Sequence, residues 1–277
     1  MPNTGTPKTL VAFHAHPDDE AIATSGTMMK AKAAGHRVLL VVATRGELGL
    51  VPDDLAPGES LADRRTVETL DAASIIGAEA VEWLGYRDSG MEGEPSIDDD
   101  GTFHRADVDE AAQRLAAILE REHVDMLLTY DERGNYMHPD HVKVHHVGHR
   151  AAKLAGTPVV YEATVNRDFI WNLMHEERDQ QDMPNDLGTA ETIEEFNLGM
   201  REWTITHRIA VTEFVERKRA AMAAHRSQID ETSFFLQLPP DAFARSFGYE
   251  WFIRPEHPRD TGAPFLDDLF DAFGERS

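Results

Sequence analysis

"KTLVAFHAHPDDEAIATSGTMMKAKAAGHRVLLVVAT", Lys8 to Thr44, holds two apolar runs with a helical stretch between them. The first run, "KTLVAFHA", is short. The second, "HRVLLVVAT", is continuous and β-branched, as strands buried on both faces are. Between them "DEAIATSGTMMKAKAAG" reads as one helix that stops at Gly35, a residue suited to the left-handed turn that ends helices. Strand, helix and strand at this spacing predict a βαβ unit, whose strands run parallel.

The pattern repeats downstream. A Gly/Pro/Asp-rich loop, "RGELGLVPDDLAPGE", leads into "SLADRRTVETLDAASIIG", an amphipathic helix with a Ser start and a Gly stop. "AEAVEWLGY" is a third strand and "DVDEAAQRLAAILEREH" a helix with an acidic first turn. "VDMLLTY" is a fourth strand, "HVKVHHVGHRAAKLAG" a helix, and "TPVVYEATV" a fifth strand. The alternation predicts an α/β, Rossmann-like fold: a mainly parallel sheet with helices on both faces. No G-x-G-x-x-G follows the first strand, so no dinucleotide cofactor is expected. From about Asn166 the alternation fades, and 166–205 reads as an excursion over the sheet edge. Residues 206–277 read as a strand, a helix and an aromatic tail that packs back. Without a repeat or a low-complexity linker, 1–277 is expected to be a single domain.

Composition narrows the partners. With 277 residues and 41% hydrophobic content, the chain can build one substantial core. Its 27 basic and 50 acidic residues give a formal charge of -23, which repels nucleic acid and anionic membrane alike. No apolar run approaches the roughly 18 residues of a membrane span. The opening "MPNTGTPK" has no apolar signal core, so a cytoplasmic location is expected. Cysteine is absent, which excludes disulfides, thiolate nucleophiles and Cys-based zinc sites. Any metal must be held by His, Asp or Glu. Composition leaves the oligomeric state open and permits a homo-oligomer.

Two stretches, "HAHPDDE" from His14 and "HPDH" from His138, each follow a strand and precede a helix. Ligands of open α/β sheets bind at the carboxyl ends of strands. A bland reading exists for the first stretch: Pro17 at the first helical position, with acids in the first turn. It does not explain His16, nor the second stretch. His16 and Asp19 are three residues apart, as are His138 and His141, which in a helical turn places the pairs on one face. With the first and fourth strands side by side, up to four candidate ligands converge. Two imidazoles and a carboxylate make a catalytic zinc set with an open position, and His16, Asp19 and His141 would serve. Asp18 and His138 then remain beside the metal for proton transfer and charge stabilisation.

The motifs "AHPDDE", "HPDH" and "LGYRDSGM" resemble signatures of the LmbE/PIG-L-like zinc-dependent N-deacetylases. The resemblance spans roughly residues 8–165 and, more loosely, "KRAAMAAHRSQI". "TYDERGNYMHPDHV" and "AHRSQID" are most similar to the mycothiol-related deacetylases and conjugate amidases. It implies one Zn2+ per chain, with Fe2+ also suited to a His/His/Asp set, and hydrolysis of an N-acetyl or related N-acyl group on a small amino-sugar conjugate. By the resemblance His16, Asp19 and His141 are the metal ligands, and Asp18 the general base that later returns the proton to the amine. His138 stabilises the oxyanion, Asp140 orients the His138 ring, and Tyr136 is a mobile residue that polarises the carbonyl. Arg65 and Asp88 hold sugar hydroxyls, and Glu47 lines the pocket. Ala23 stands where conjugate amidases carry a lysine, which points away from that branch.

Other residues have weaker claims. His145 could contact the site from one helical turn beyond His141, and His225 and Gln228 in "AHRSQI" could approach it; His146 and His149 read as exposed helical residues. The rival readings are a mycothiol-pathway deacetylase or conjugate amidase, an antibiotic-tailoring deacetylase, and a sugar-binding protein without turnover. The intact pair Asp18 and His138 argues against the last. A two-metal phosphoesterase would need more ligands than these motifs supply.

Overall fold

The run TLVAFH forms strand β1 (Thr9–His14) and RVLLVV forms β2 (Arg37–Val42), paired in parallel with Thr9 opposite Arg37 and His14 opposite Val42. This is a computed structural model, and it describes residues 6–178 and 190–274. Strands β3 (Ala80–Trp83), β4 (Met126–Tyr130), β5 (Val159–Thr164), β6 (His207–Ala210) and β7 (Tyr249–Ile253) complete one seven-stranded sheet. Its order is β3-β2-β1-β4-β5-β7-β6. β1 to β5 are parallel; β7 runs antiparallel to both β5 and β6. The chain therefore winds outward from β1 to β3 and returns to lay β4 beside β1. That reversal is the switch point at which ligands of such sheets bind.

Ten helices are described among these residues: α1 (Asp19–Ala23), α2 (Ser25–Ala33), α3 (Leu61–Ile76), α4 (Val108–Arg121), α5 (Gly134–Met137), α6 (Pro139–Ala155), α7 (Arg167–Arg178), α8 (Val215–Ala224), α9 (Phe234–Gln237) and α10 (Pro240–Phe247). α4 packs on α6, while α1, α2 and α3 gather around α8. Val38 to Val42 are all buried, which explains why the β2 run has no polar alternation. Each such aliphatic side chain contributes about 1.5–3 kcal/mol on burial. α3 begins as expected, with Ser60 and Asp63 in a reciprocal capping box, and ends at Gly77 in the left-handed conformation.

The helix expected after β1 is broken at Thr24, whose φ of -136° lies outside the helical range. Tertiary contacts outbid the local pattern there. Thr24 Oγ1 bonds His14 Nε2 at 2.9 Å, and the Glu250 carboxylate accepts from the amides of Gly26 and Thr27, both at 2.8 Å. Glu250 thus caps α2 from the far end of the chain, and it is itself paired with buried Lys218 of α8. Strand β7 was not anticipated: "YEWFI" is short, and Glu250 interrupts its apolar pattern. Of the expected excursion, residues 179–189 lie outside the described residues. Its later part reaches the loop after β4, where the Gly199 amide donates to the Asn135 carbonyl. Among the described residues no helix is long and apolar enough to cross a membrane.

Candidate metal centre

The loops after β1, β2, β3 and β4 bring His16, Asp18, Asp19, Asp88, Tyr136 and His138 onto one cavity of about 180 Å³, with Arg65 of α3 and Leu48 and Met91 also on its wall. At about 30 Å³ per water, this is room for roughly six waters, or one small ring. A larger cavity of about 390 Å³ lies beside Tyr86 and Arg114, away from the histidines.

The two His-Pro-Asp turns are built differently. His138 is the N-cap of α6 and Pro139 its first residue, with the His138 ring accepting from the Asp140 amide. The first turn is not a helix start at Pro17: α1 begins at Asp19, and Asp18 sits at φ 95°, a left-handed conformation that non-glycine residues rarely hold. Strain of this kind needs surrounding contacts to fix it. They are present. The Asp18 amide donates to Glu20 Oε2 at 3.0 Å, and Glu20 Oε1 lies 2.6 Å from His225 Nε2, both side chains fully buried. Arg65 donates to the Asp18 carboxylate at 3.1 Å and to the carbonyls of Pro17 and Gly46. Gly46 permits this approach, since an added Cβ would lie 2.2 Å from Arg65 Nη1.

Three donor atoms form a near-equilateral triangle. His141 Nε2 is 3.3 Å from His16 Nδ1 and 3.4 Å from Asp19 Oδ2, and the last two are 3.6 Å apart. A tetrahedral ion bound at 2.0–2.1 Å sets its donors about 3.3–3.4 Å apart, so the triangle fits a small divalent cation. A nitrogen of His138 also lies within 4.8 Å of nitrogens of His16 and His141. Its Nδ1, however, accepts from the Asp140 amide at 3.1 Å. An amide only donates, so His138 carries its proton on Nε2. Gly134 makes room for this turn, because a Cβ there would lie 2.5 Å from His141 Cβ.

Asp140 differs from its expected place. Its carboxylate does not hold the His138 ring; Oδ2 lies 3.1 Å from His16 Nε2, and Ser89 donates to it through both Oγ and its amide. The helical turn carries the Asp140 side chain toward β1 and leaves only its amide for His138. Asp88 also faces His16 Nε2, at 3.4 Å, and accepts from the amides of Leu48 and Gly90. Glu47 accepts from the Asp88 amide at 3.1 Å, so it supports that loop, and the adjacent Leu48 and Gly49 line the cavity. Arg65, only 4% exposed, lines the cavity and already donates to two carbonyls and to Asp18. Tyr136 is 42% exposed, with its hydroxyl 3.3 Å from His141 Nε2.

Burial pushes the Asp18 carboxyl up to about 6, against the pull of the Arg65 guanidinium. Burial, reinforced by His16, pushes His138 down to about 4, and burial lowers His141 to about 3. Against the upward push of burial, the His141 and His16 imidazoles hold Asp19 below the usual carboxylate range. Against the lowering by burial, the carboxylates of Asp140, Asp19 and Asp88 hold the His16 imidazole well above its ordinary value. One carboxylate is thus poised near neutrality beside the neutral imidazoles of His138 and His141, the separation of acid and base that hydrolysis uses.

Neither His225 nor Gln228 lines the cavity: His225 meets Glu20 of α1, and Gln228 bonds both the amide and the carbonyl of Leu50, at 2.9 and 2.8 Å. His145 turns away from the centre, its Nδ1 donating to the Tyr130 carbonyl at 3.0 Å. Glu20 and Ser89 were missed. Glu20 was read as a first-turn acid, and Ser89 carries no sequence signal beyond its place next to Asp88.

A doubly wound sheet that gathers two imidazoles and a carboxylate at its switch point, with a spare base beside them, defines a metal-dependent hydrolase. Residues 11–152 match the family model of PIG-L, GlcNAc-PI de-N-acetylase. The chain is 34% identical, over 96% of its length and 89% of the relative's, to the 1D-myo-inositol 2-acetamido-2-deoxy-alpha-D-glucopyranoside deacetylase 1 of Catenulispora acidiphila. It is 36% identical to the Thermobifida fusca 1D-myo-inositol 2-acetamido-2-deoxy-alpha-D-glucopyranoside deacetylase, over 94% of this chain and 98% of that protein. The N,N'-diacetylchitobiose deacetylase of Pyrococcus horikoshii shares the fold at a TM-score of 0.54, with 24% identity, covering 85% of this chain and 73% of that one. The chain belongs to the PIG-L family. It is an N-deacetylase, a hydrolase of amide carbon–nitrogen bonds.

Proposed function

We propose that the protein removes the N-acetyl group from an inositol-linked N-acetylglucosamine glycoside, using one Zn2+ held by His16, Asp19 and His141. The observation that carries this reading is the donor triangle of 3.3, 3.4 and 3.6 Å with Asp18 on the wall of the same cavity. The relatives from Catenulispora acidiphila and Thermobifida fusca, alike over nearly the whole chain, supply the substrate class. Fe2+ suits the same donors.

Bound there, a divalent ion supplies Lewis acidity that polarises the acyl carbonyl and acidifies water. The protein's own groups do the rest. The Asp18 carboxylate takes a proton from the attacking water as the new carbon–oxygen bond forms. His138 donates its Nε2–H to the oxyanion that develops on the former carbonyl. The carbon–nitrogen bond then breaks, and the Asp18 carboxyl returns its proton to the departing amine, giving acetate and the free amino sugar. Tyr136 adds a hydroxyl donor at the mouth, and Asp88 accepts from the sugar hydroxyls. Arg65 keeps the base in position, and Asp140 keeps His16 in the tautomer that presents Nδ1.

The test is amine release by metal-stripped protein, with and without added Zn2+ or Fe2+. The panel is N-acetylglucosamine, its inositol glycoside and a mycothiol conjugate, with Asp18→Ala as control. Metal-dependent turnover that prefers the inositol glycoside and vanishes in the variant is expected. Turnover restricted to the conjugate would replace the deacetylase reading with the amidase one, and failure to bind metal would end the proposal.

A further inference from the structure

Helix α6 carries a second pair of histidines, His145 and His149, one and two turns beyond His141. They share a carboxylate. Glu162 of β5 places Oε1 2.8 Å from His149 Nε2 and 3.4 Å from His145 Nδ1. One ring nitrogen from each imidazole and one Glu162 oxygen lie within 4.8 Å of one another.

Glu162 is only 7% exposed, and a carboxylate taken out of water needs a compensating positive charge. Two imidazoles supply that charge only when a proton or a cation joins them. The surroundings favour a cation. His145 Nδ1, the nitrogen nearest Glu162, donates to the Tyr130 carbonyl at 3.0 Å and so does not itself hold an ion; the ligating atom of this ring would be Nε2, whose lone pair that tautomer leaves free. Metal-bound imidazoles are oriented in this way by carbonyls. Two histidines four apart on one helical face, with a carboxylate from a neighbouring element, repeat the donor types of the centre at the switch point. A nitrogen-rich set of this kind selects zinc-like ions over calcium or magnesium, which prefer oxygen. The His149 side chain, 34% exposed, gives an ion a way in.

We propose that His145, His149 and Glu162 form an accessory site for a borderline divalent cation of the Zn2+ class, separate from the hydrolytic centre. Occupied, it ties α6 to β5 and braces the helix whose first turn presents His138 and His141.

The experiment is zinc stoichiometry by equilibrium dialysis at micromolar free zinc, paired with thermal unfolding over a zinc titration. The proteins are wild type, His145→Gln/His149→Gln, Glu162→Gln, and His16→Ala/His141→Ala. Wild type should hold two ions, and each of the three variants one. The accessory-site variants should also lose one of two zinc-dependent rises in Tm. Should His145→Gln/His149→Gln fail to fold, Glu162→Gln, which keeps shape and volume, decides alone. A single ion in wild type, or a second ion that survives the accessory-site substitutions, would overturn the assignment.

Discussion

The Asp140 carboxylate lies 3.1 Å from His16 Nε2, while His16 Nδ1, across the same ring, faces Asp19 and His141. A carboxylate placed there orients the imidazole and raises its basicity toward a metal. Asp140→Asn should therefore weaken metal retention roughly 10- to 100-fold, measured by competition with a chromophoric chelator. The loss should appear in affinity before it appears in KM. An affinity equal to wild type would show that Asp140 matters only to the fold of the loop.

Arg65 donates to the Asp18 carboxylate at 3.1 Å. Its positive charge opposes the rise that burial imposes on the carboxyl, which stands at about 6. A bound cation pulls in the same direction as Arg65. Asp18 must be ionised to serve as a base, so activity rises with pH through its pKa. Arg65→Met removes a lowering influence, and the acid limb of the kcat profile should move to higher pH. Asp18→Asn should lose activity at every pH, by roughly 10²–10⁴-fold in kcat. An acid limb that stays in place in Arg65→Met would detach Arg65 from the base.

Lys218 and Glu250 form an ion pair with both side chains almost fully buried. Removing one partner leaves an uncompensated charge, at a cost of about 3–5 kcal/mol. Lys218→Met should lower the unfolding free energy by that amount, read as a lower urea midpoint with the slope unchanged. Lys218→Met/Glu250→Gln should be less destabilised than the sum of the single variants, because the stranded charge is gone. Strict additivity would mean that the two residues do not interact in solution.

His207 sets a pH dependence of stability away from the catalytic cavity. Burial, with Arg254 adding to it, pushes its imidazole down from 6.5 to about 4. The folded state resists the proton that the unfolded chain accepts. The stabilisation is therefore complete above 6.5 and is lost as pH falls toward 4. His207→Gln should flatten the decline in unfolding free energy across that interval, as followed by denaturant titrations at several pH values. An equal slope in the variant would place the acid sensitivity elsewhere.

The parallel half of the sheet was legible because β1, β2, β4 and β5 are apolar runs bounded by Gly and capped helices, all local signals. The two His-Pro-Asp turns announced the metal centre for the same reason. What escaped was set by distant partners. Thr24 breaks a helix because His14 and Glu250 engage its ends. Arg65 looked like a surface or sugar-facing residue on an amphipathic helix, and only the fold shows the Pro17 and Gly46 carbonyls waiting for it. Asp140 sits in the right motif, yet its partner is decided by where β1 lies relative to α6, which no spacing encodes. β7 hid because a strand carrying a buried glutamate makes sense only when Lys218 is known to face it.

His225 steadies Glu20 across 205 residues of sequence, and Glu250 reaches back 224 residues to the Gly26 amide. Synthesis of the chain is directional, so the ligand loops after β1 and β4 leave the ribosome well before their supports do. A chain halted at residue 200 would carry His16, Asp19, His138 and His141, but Asp18 would lack the support that His225 gives through Glu20, and α2 would lack its cap. The supports of the Asp18 turn and of α2 thus arrive late in translation, after the loops they hold.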